Sequence, residues 1–201
     1  IMSRLVSKKT RLREQKEDEI KIFINEYNKS MEYWCIKSKV TTKYINDLVG
    51  YGANLKIQGP VKFSGGGKLH CGDDFFVRST EVDPVKIYIS EDADLSFGNQ
   101  VFLNNRVHIS CSHKIKLGTH VDVGDECLII DNDFHNVGDR PSKDAPIIIE
   151  DNVWIATRVI ILKGVTIGAG SVIGAGSLVT KSIPSNSFAA GNPAKVIKSL
   201  K

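Results

Sequence analysis

Cysteine is scarce in this sequence of 201 residues, which contains four, and no two of them form a CxxC pair. Cys35, Cys71, Cys111 and Cys127 are irregularly spaced. This spacing disfavours both a disulfide framework and a structural zinc site. We therefore expect reduced thiols and no required metal.

Long apolar runs and strong net charge are missing as well. No stretch approaches the roughly 18 to 20 apolar residues that span a bilayer, and the N-terminal residues lack the apolar core of a signal peptide. We expect no transmembrane segment and a cytoplasmic location. The net charge of +4 is small and dispersed along the chain, which argues against a nucleic-acid partner while favouring an anionic ligand.

The chain does contain an internal repeat, in which apolar residues return at every sixth position. Because no helix has this period, short strands must alternate with sharp corners, and three units make one coil of a triangular prism. Glycines fall where a corner needs a positive φ or leaves no room for a Cβ atom. The first inward series is Ile149, Ile155, Ile161, Ile167, Ile173 and Val179; the second is Val153, Val159, Val165, Ser171, Ser177 and Ile183; the glycines are Gly164, Gly168, Gly170, Gly174 and Gly176.

Stacked coils bring equivalent positions together at the strand spacing of about 4.8 Å. The same phase continues upstream with interruptions, and the step from Ile109 to Leu117 is eight residues rather than six. This longer step predicts a bulge near residues 112–114. The predicted pairs are Ile149 with Ile167, Ile155 with Ile173, and Ile161 with Val179.

These patterns divide the chain into three parts. Residues 1–54 form an N-terminal extension whose apolar residues recur at three- and four-residue steps, as in an amphipathic helix that packs on the end of the prism or binds a partner. Residues 55–185 form the β-helix, interrupted by a polar loop over 131–146, and residues 186–201 form a C-terminal tail. The expected fold is an all-β solenoid, a parallel β-helix with an N-terminal α-helical segment.

The segment from Asn152 to Lys198, which begins NVWIATRVIILKGVTIGAG, resembles the hexapeptide-repeat acyltransferases of the galactoside, maltose and polysaccharide O-acetyltransferase group. The resemblance extends back to about Ser96 and does not cover residues 1–50. It implies left-handed crossovers, an exception to the usual right-handed rule. It also implies a homotrimer with active sites between neighbouring prisms, and acetyl-CoA as the acetyl donor.

Acetyl transfer to a hydroxyl needs a base for the hydroxyl proton, and histidine suits that role near neutral pH. His135 lies in the sequence DNDFH, in the loop where the resembled family places its base. Asp131 or Asp133 would orient the imidazole, or would only form a turn. No Gly-x-Ser-x-Gly elbow or Cys–His pairing offers a nucleophile, so we expect direct transfer in a ternary complex.

The resemblance also assigns binding residues. Asn104 matches an acceptor-holding asparagine, although a corner residue is the competing interpretation, and Trp154 matches a residue beside the active-site cleft that would otherwise cover the prism edge. Thr157 stands where a small polar residue lies near the thioester. The other expected coenzyme A contacts are the backbone of Gly124, Ala156 and Ala175, and the phosphate-binding segments with Thr180, Lys181, Lys195 and Lys198.

The expected acceptor is a hydroxyl of a sugar or polysaccharide precursor. Two other functions fit parts of the sequence. One is a non-catalytic β-helical scaffold whose N-terminal segment docks a partner. The other is a carbonic anhydrase of the β-helical type, with His70, His108 and His113 as metal ligands.

Overall fold

A computed structural model describes residues 48–52, 54–136 and 138–201 of the chain, and the described regular structure is entirely β-strand. The expected N-terminal helix falls on residues outside this described part. Except for the last two strands, the chain visits three parallel sheets in turn, so that every third strand lies in the same sheet. No described helix has the length and apolar character needed to cross a membrane.

The strands are numbered in chain order, and the three sheets are called A, B and C. Sheet A contains β1 (Leu48–Tyr51), β4 (Lys68–Cys71), β7 (Asp94–Phe97), β10 (Lys114–Leu117), β13 (Ile147–Ile149) and β16 (Thr166–Ile167). Sheet B contains β2 (Lys56–Gln58), β5 (Phe76–Arg78), β8 (Phe102–Leu103), β11 (Asp122–Val123), β14 (Trp154–Ile155), β17 (Val172–Ile173), β19 (Ser187–Gly191) and β20 (Ala194–Ser199). Sheet C contains β3 (Val61–Gly65), β6 (Val85–Ile89), β9 (His108–Cys111), β12 (Leu128–Ile130), β15 (Ile160–Leu162) and β18 (Leu178–Val179).

The register of neighbouring coils confirms the six-residue repeat. Each aliphatic residue stacks on its equivalent in the next coil, and the side chains of both inward series are buried. A fully buried isoleucine contributes about 1.5–3 kcal/mol relative to an exposed one, so the ladders hold the prism together. The three predicted pairs are present: Ile149 with Ile167, Ile155 with Ile173, and Ile161 with Val179.

The corners confirm both expected uses of glycine. Gly164, Gly170 and Gly176 have φ angles of 73°, 70° and 70°. Gly168 has an ordinary φ, but a Cβ atom there would lie 2.4 Å from the backbone nitrogen of Ser185. A side chain at this position would therefore push neighbouring coils apart.

Described strands also lie on either side of residues 55–185, the range expected for the β-helix. Strand β1 pairs with β4, which places the first described strand upstream of residue 55. The pairing of β1 is irregular, and this explains why the six-residue phase is not visible there. At the other end, β19 continues sheet B in parallel, and β20 returns antiparallel beside it.

Candidate active site

Five of the ten candidate binding residues lie on one edge of the prism, here called the B–C corner. It is the stack of residues 104–106, 124–126, 156–158 and 174–176, which connect strands of sheet B to strands of sheet C. Backbone hydrogen bonds join the levels, such as Arg158 N to Asp125 O and Gly176 N to Thr157 O. The expected coenzyme A contacts at Gly124, Ala156, Thr157 and Ala175 therefore share one edge.

Asn104 also lies on the B–C corner, and neighbouring groups hold its amide. Its Nδ2 donates to Asp125 Oδ2 at 2.9 Å, and its Oδ1 accepts from the backbone and side chain of Asn105 at 3.0 Å each. Asp125 accepts from the Asn105 side chain as well, at 3.1 Å. These contacts fix the corner and the direction in which the Asn104 amide faces. Sequence analysis had not identified Asp125.

An exposed ion-pair network lies on the same corner. Glu126 bridges two coils, accepting from Arg106 at 2.6 Å and from Arg158 at 2.7 Å. The hydrogen bond from Arg158 holds the pKa of Glu126 below its usual value. All three residues have φ near 60°, so the network connects the residues at which the chain turns.

His135 lies elsewhere, in the loop that connects β12 to β13 at the edge between sheets C and A, here called the C–A corner. The side chain of His135 is exposed, as is that of Phe134 beside it. The loop is held to the next coil, since Gly164 N donates to Ala145 O at 3.1 Å. The imidazole is thus presented outward from an anchored loop.

Asp131 anchors the beginning of this loop. Its carboxylate is fully buried and accepts backbone hydrogen bonds from Ser112 at 2.7 Å, His113 at 2.9 Å and Lys114 at 2.8 Å. These three residues form the irregular step predicted between β9 and β10. Because both carboxylate oxygens are engaged there, the structure favours a structural role over the orientation of His135.

Asp133 forms an ion pair with Lys163 of the next coil. The hydrogen bond from Lys163 holds the pKa of Asp133 below its usual value. The pair is therefore intact at neutral pH and is lost only as the pH falls below the ordinary aspartate range, near about 4. Lys163 Nζ also donates to Lys143 O at 3.0 Å, so one ammonium group holds both sides of the His135 loop.

Replacing Lys163 with methionine is expected to loosen the loop. The two contacts to Asp133 and Lys143 are removed, and loop opening should become more frequent. We expect trypsin to cleave after Lys143 about three to ten times faster than in the wild type, because cleavage follows the population of the open form. Lys116→Met, at an exposed position in sheet A, is the matched control. Equal cleavage rates in both variants would contradict the assignment.

His135 and the candidate residues of the B–C corner do not come together within one protomer. The B–C corner and the C–A corner lie at opposite ends of the strands of sheet C. Residues 126 and 131 are five positions apart along an extended strand, or roughly 16 Å. Thr157 and His135 consequently face different edges of the same prism.

The remaining candidates are distributed in the same way. Trp154 is 55% exposed and lies in register with Asp122 and Val172 in sheet B. Thr180 and Lys181 follow β18 at the C–A corner, whereas Lys195 and Lys198 lie on β20 in sheet B. The expected phosphate-binding residues therefore also divide between two sides of one protomer.

The histidines of the carbonic anhydrase alternative do not cluster in one protomer. His70 lies in sheet A, His108 in sheet C, and His113 at the C–A corner. Within the described residues, no group of three or more His, Cys, Asp or Glu side chains is placed to hold a metal ion.

The described cysteines are unsuited to nucleophilic catalysis. Cys71, Cys111 and Cys127 are buried. Cys127 lies beneath the B–C corner and donates from Sγ to Ala156 O at 3.0 Å. Burial raises its pKa to about 11, so it stays protonated at neutral pH and is a poor nucleophile.

Comparison with known proteins indicates the family to which this chain belongs. A family model described as bacterial transferase hexapeptide (six repeats) matches residues 146–181. Galactoside O-acetyltransferase of Escherichia coli (strain K12) is 35% identical over 150 residues, which cover 74% of this chain and 63% of that protein. The chain belongs to the hexapeptide-repeat acyltransferase family.

Solved structures of this family share the architecture. A hexapeptide-repeat acetyltransferase of Vibrio cholerae, complexed with acetyl-CoA, has a TM-score of 0.50 and 29% identity, with 69% of this chain and 71% of that chain covered. The polySia-specific acetyltransferase NeuO has a TM-score of 0.57 and 26% identity, with 74% and 84% covered. The fold of this hexapeptide-repeat protein is accordingly the left-handed parallel β-helix. The chain spans less than two thirds of the length of the E. coli relative.

Proposed function

We propose that this protein is an acetyl-CoA-dependent O-acetyltransferase that acts on a hydroxyl of a sugar or polysaccharide precursor. The observation that carries the proposal is the placement of the candidate residues on two corners of one prism, which are proposed to act as half-sites. The B–C corner offers a line of small residues at Gly124, Ala156 and Ala175, and the C–A corner presents an exposed imidazole on an anchored loop. The names of the relatives support the reaction class, since the E. coli relative is a galactoside O-acetyltransferase.

The two half-sites complete each other between copies of the chain. The outward face of sheet C is apolar at its C-terminal end, where five outward-facing side chains are partly exposed: Leu128, Ile130, Ile160, Leu162 and Leu178. Burying this face around a threefold axis brings the C–A corner of one protomer against the B–C corner of the next. Such head-to-tail contacts close into a ring of three when each protomer is rotated by about 120° relative to the one before it. We therefore propose a homotrimer whose active sites are shared between neighbouring protomers.

The proposed chemistry is a direct transfer. His135 removes the proton of the acceptor hydroxyl as its oxygen bonds to the acetyl carbon. The carbon–sulfur bond of the thioester then breaks, and the coenzyme A thiolate leaves and takes up a proton, for which protonated His135 is the donor. Thr157 of the neighbouring protomer is proposed to donate to the oxyanion that develops on the carbonyl oxygen. Holding both substrates together supplies much of the acceleration.

Coenzyme A is proposed to lie along the B–C corner. The pantetheine arm would follow the line of Gly124, Ala156 and Ala175, where small side chains leave room for it beside the backbone. Lys195 and Lys198 would meet the phosphates of the nucleotide from β20, and Thr180 and Lys181 would contribute from the adjacent protomer. The complex of the Vibrio cholerae relative with acetyl-CoA supports the identity of the donor.

Binding of acetyl-CoA tests the proposal directly. A ligand that binds only the native protein at a hundred times its Kd stabilises it by about 2.7 kcal/mol, and for a chain of this size we expect the Tm to rise by about 5–10 °C. The double variant Lys195→Ala/Lys198→Ala should reduce the rise at the same concentration. No change in Tm at millimolar acetyl-CoA would favour the scaffold alternative. Stoichiometric metal in the purified protein, with loss of activity on chelation, would favour a carbonic anhydrase.

A further inference from the structure

An aromatic pair with an arginine lies on strands β5 and β8 of sheet B. The rings of Phe76 and Phe102 stack with centroids 5.1 Å apart and an interplanar angle of 29°. The guanidinium carbon of Arg78 lies 6.0 Å from the Phe76 centroid and 5.6 Å from the Phe102 centroid. Phe76 and Phe102 are partly exposed and Arg78 is exposed, so all three are accessible to a ligand.

Arg78 has no acidic partner in the part of the chain that the structure describes. The ion pairs among described residues involve Arg106 and Arg158 but not Arg78. Its guanidinium is held by the two aromatic faces instead, and a cation–π contact leaves the outward N–H donors available. An arginine held in this way is prepared for a carboxylate or phosphate, which it binds through two parallel hydrogen bonds.

The register places this aromatic pair beside the proposed reaction site. Val77 pairs with Leu103, so Arg78 lies one coil below Asn104, at the strand spacing of about 4.8 Å. Above Asn104 the same column continues through Gly124 and Ala156. One line on the surface thus runs from the proposed pantetheine path, past Asn104, to Arg78.

The positions along this line place acetyl-CoA and the acceptor sugar on opposite sides of the reaction site. The nucleotide end of acetyl-CoA is assigned to the C-terminal coils, and the His135 loop leaves between β12 and β13, one coil above Asn104. If the thioester lies at the level of the His135 loop, the nucleotide of acetyl-CoA occupies only the C-terminal side of it. The acceptor must therefore approach from the opposite, N-terminal side, where Phe76, Arg78 and Phe102 lie.

We propose that Phe76, Arg78 and Phe102 form an acceptor subsite for an anionic sugar, with its carboxylate or phosphate on Arg78 and the C–H face of its ring against the phenylalanines. This proposal rests on the acetyltransferase function proposed above. The phenylalanine rings are rigid apolar surfaces on which the sugar ring can pack. Arg78 selects acceptors that carry a negative charge. The subsite makes Arg78 the residue that discriminates anionic from neutral acceptors.

Matched pairs of sugars that differ in charge test the subsite. Saturation-transfer NMR on the full-length protein would compare p-nitrophenyl β-glucuronide with p-nitrophenyl β-glucoside, and glucose 6-phosphate with glucose, each in the presence of coenzyme A. We expect the wild type to bind at least one anionic member about tenfold more tightly than its neutral match, as for a hydrogen bond to a charged group. The pair that shows the larger preference distinguishes a carboxylate from a phosphate.

Two variants make the test specific. Arg78→Gln should bring anionic and neutral members to within about twofold of each other, and Arg78→Lys should restore part of the preference, since it keeps the charge without the fork. Lys68→Gln, which removes an exposed positive charge from sheet A, should leave the preference unchanged. An unaltered preference in Arg78→Gln overturns the proposal, as does a wild type that binds neither anionic sugar or shows no preference. The rise in Tm with acetyl-CoA is measured in parallel, so that loss of the acetyltransferase function itself is recognised separately.

Discussion

Replacement of His135 by alanine is expected to lower turnover with acetyl-CoA and a sugar acceptor at least about a hundredfold, as for the loss of a general base. The side chain is exposed in the loop between β12 and β13, and the residues that anchor this loop are different ones. The variant should therefore fold normally and retain the rise in Tm with acetyl-CoA. Release of free thiol from acetyl-CoA measures the turnover.

A matched control separates the loss of the base from the loss of any surface histidine. His120 is exposed at the corner between sheets A and B, and asparagine is tolerated at its φ of 56° because asparagine adopts left-handed geometry readily. His120→Asn should keep wild-type turnover, whereas His135→Asn should behave like His135→Ala. Unchanged turnover in both His135 variants would remove this residue from the mechanism.

Replacement of Asp131 by alanine is expected to be the most destabilising change in the loop region. It leaves three backbone N–H groups, of Ser112, His113 and Lys114, without the acceptor they have in the native protein. Each unsatisfied buried donor costs about 1–3 kcal/mol, and water can replace part of the loss. We expect a destabilisation of about 3 kcal/mol and a fall in Tm of about 6–12 °C, measured by thermal unfolding.

The same experiment decides between the two roles considered for Asp131. If it only oriented the imidazole, Asp131→Ala would keep its Tm and lose turnover. If Asp131 is structural, Asp131→Ala should lower the Tm, and any loss of turnover should follow from the lower stability and not from a changed orientation of the imidazole. Asp92→Ala, in an exposed turn, is the control and should leave the Tm within about 1–2 °C of the wild type, as is usual for surface substitutions.

The regular part of the fold could be predicted because its determinants are local. A six-residue period, the corner glycines and the stacking of Ile155 on Ile173 are all visible in one stretch of sequence, and each unit repeats the same geometry. The N-terminal end of the β-helix was harder to predict from the sequence, because β1 joins sheet A with irregular register. The expected helix before it lies outside the described residues and stays a prediction.

The site was harder to predict because it depends on contacts across interruptions of the repeat. Asp131 was considered for its position before His135, yet its carboxylate binds residues nearly twenty positions earlier, where an eight-residue step leaves N–H groups without strand partners. Lys163 and Asp125 belong to no recognisable sequence motif. Their contacts, with Asp133 and with Asn104 and Asn105, become visible only when the coils are stacked. The separation of His135 from Thr157 follows from which corner each occupies, and the roles of both in catalysis stay predictions.

The C-terminal hairpin has a consequence for how copies of this protein can aggregate. A stack of parallel coils that simply stopped would expose a row of backbone donors and acceptors, and another molecule could add to it end to end and begin a fibre. In sheet B the last parallel strand, β19, is covered by β20, which runs in the opposite direction. Lys195 and Lys198 lie on that outermost strand and are exposed, and lysine on an edge strand opposes further pairing by charge repulsion and desolvation. Truncation before Ala194 would leave β19 as an uncovered edge strand and is accordingly expected to promote end-to-end association.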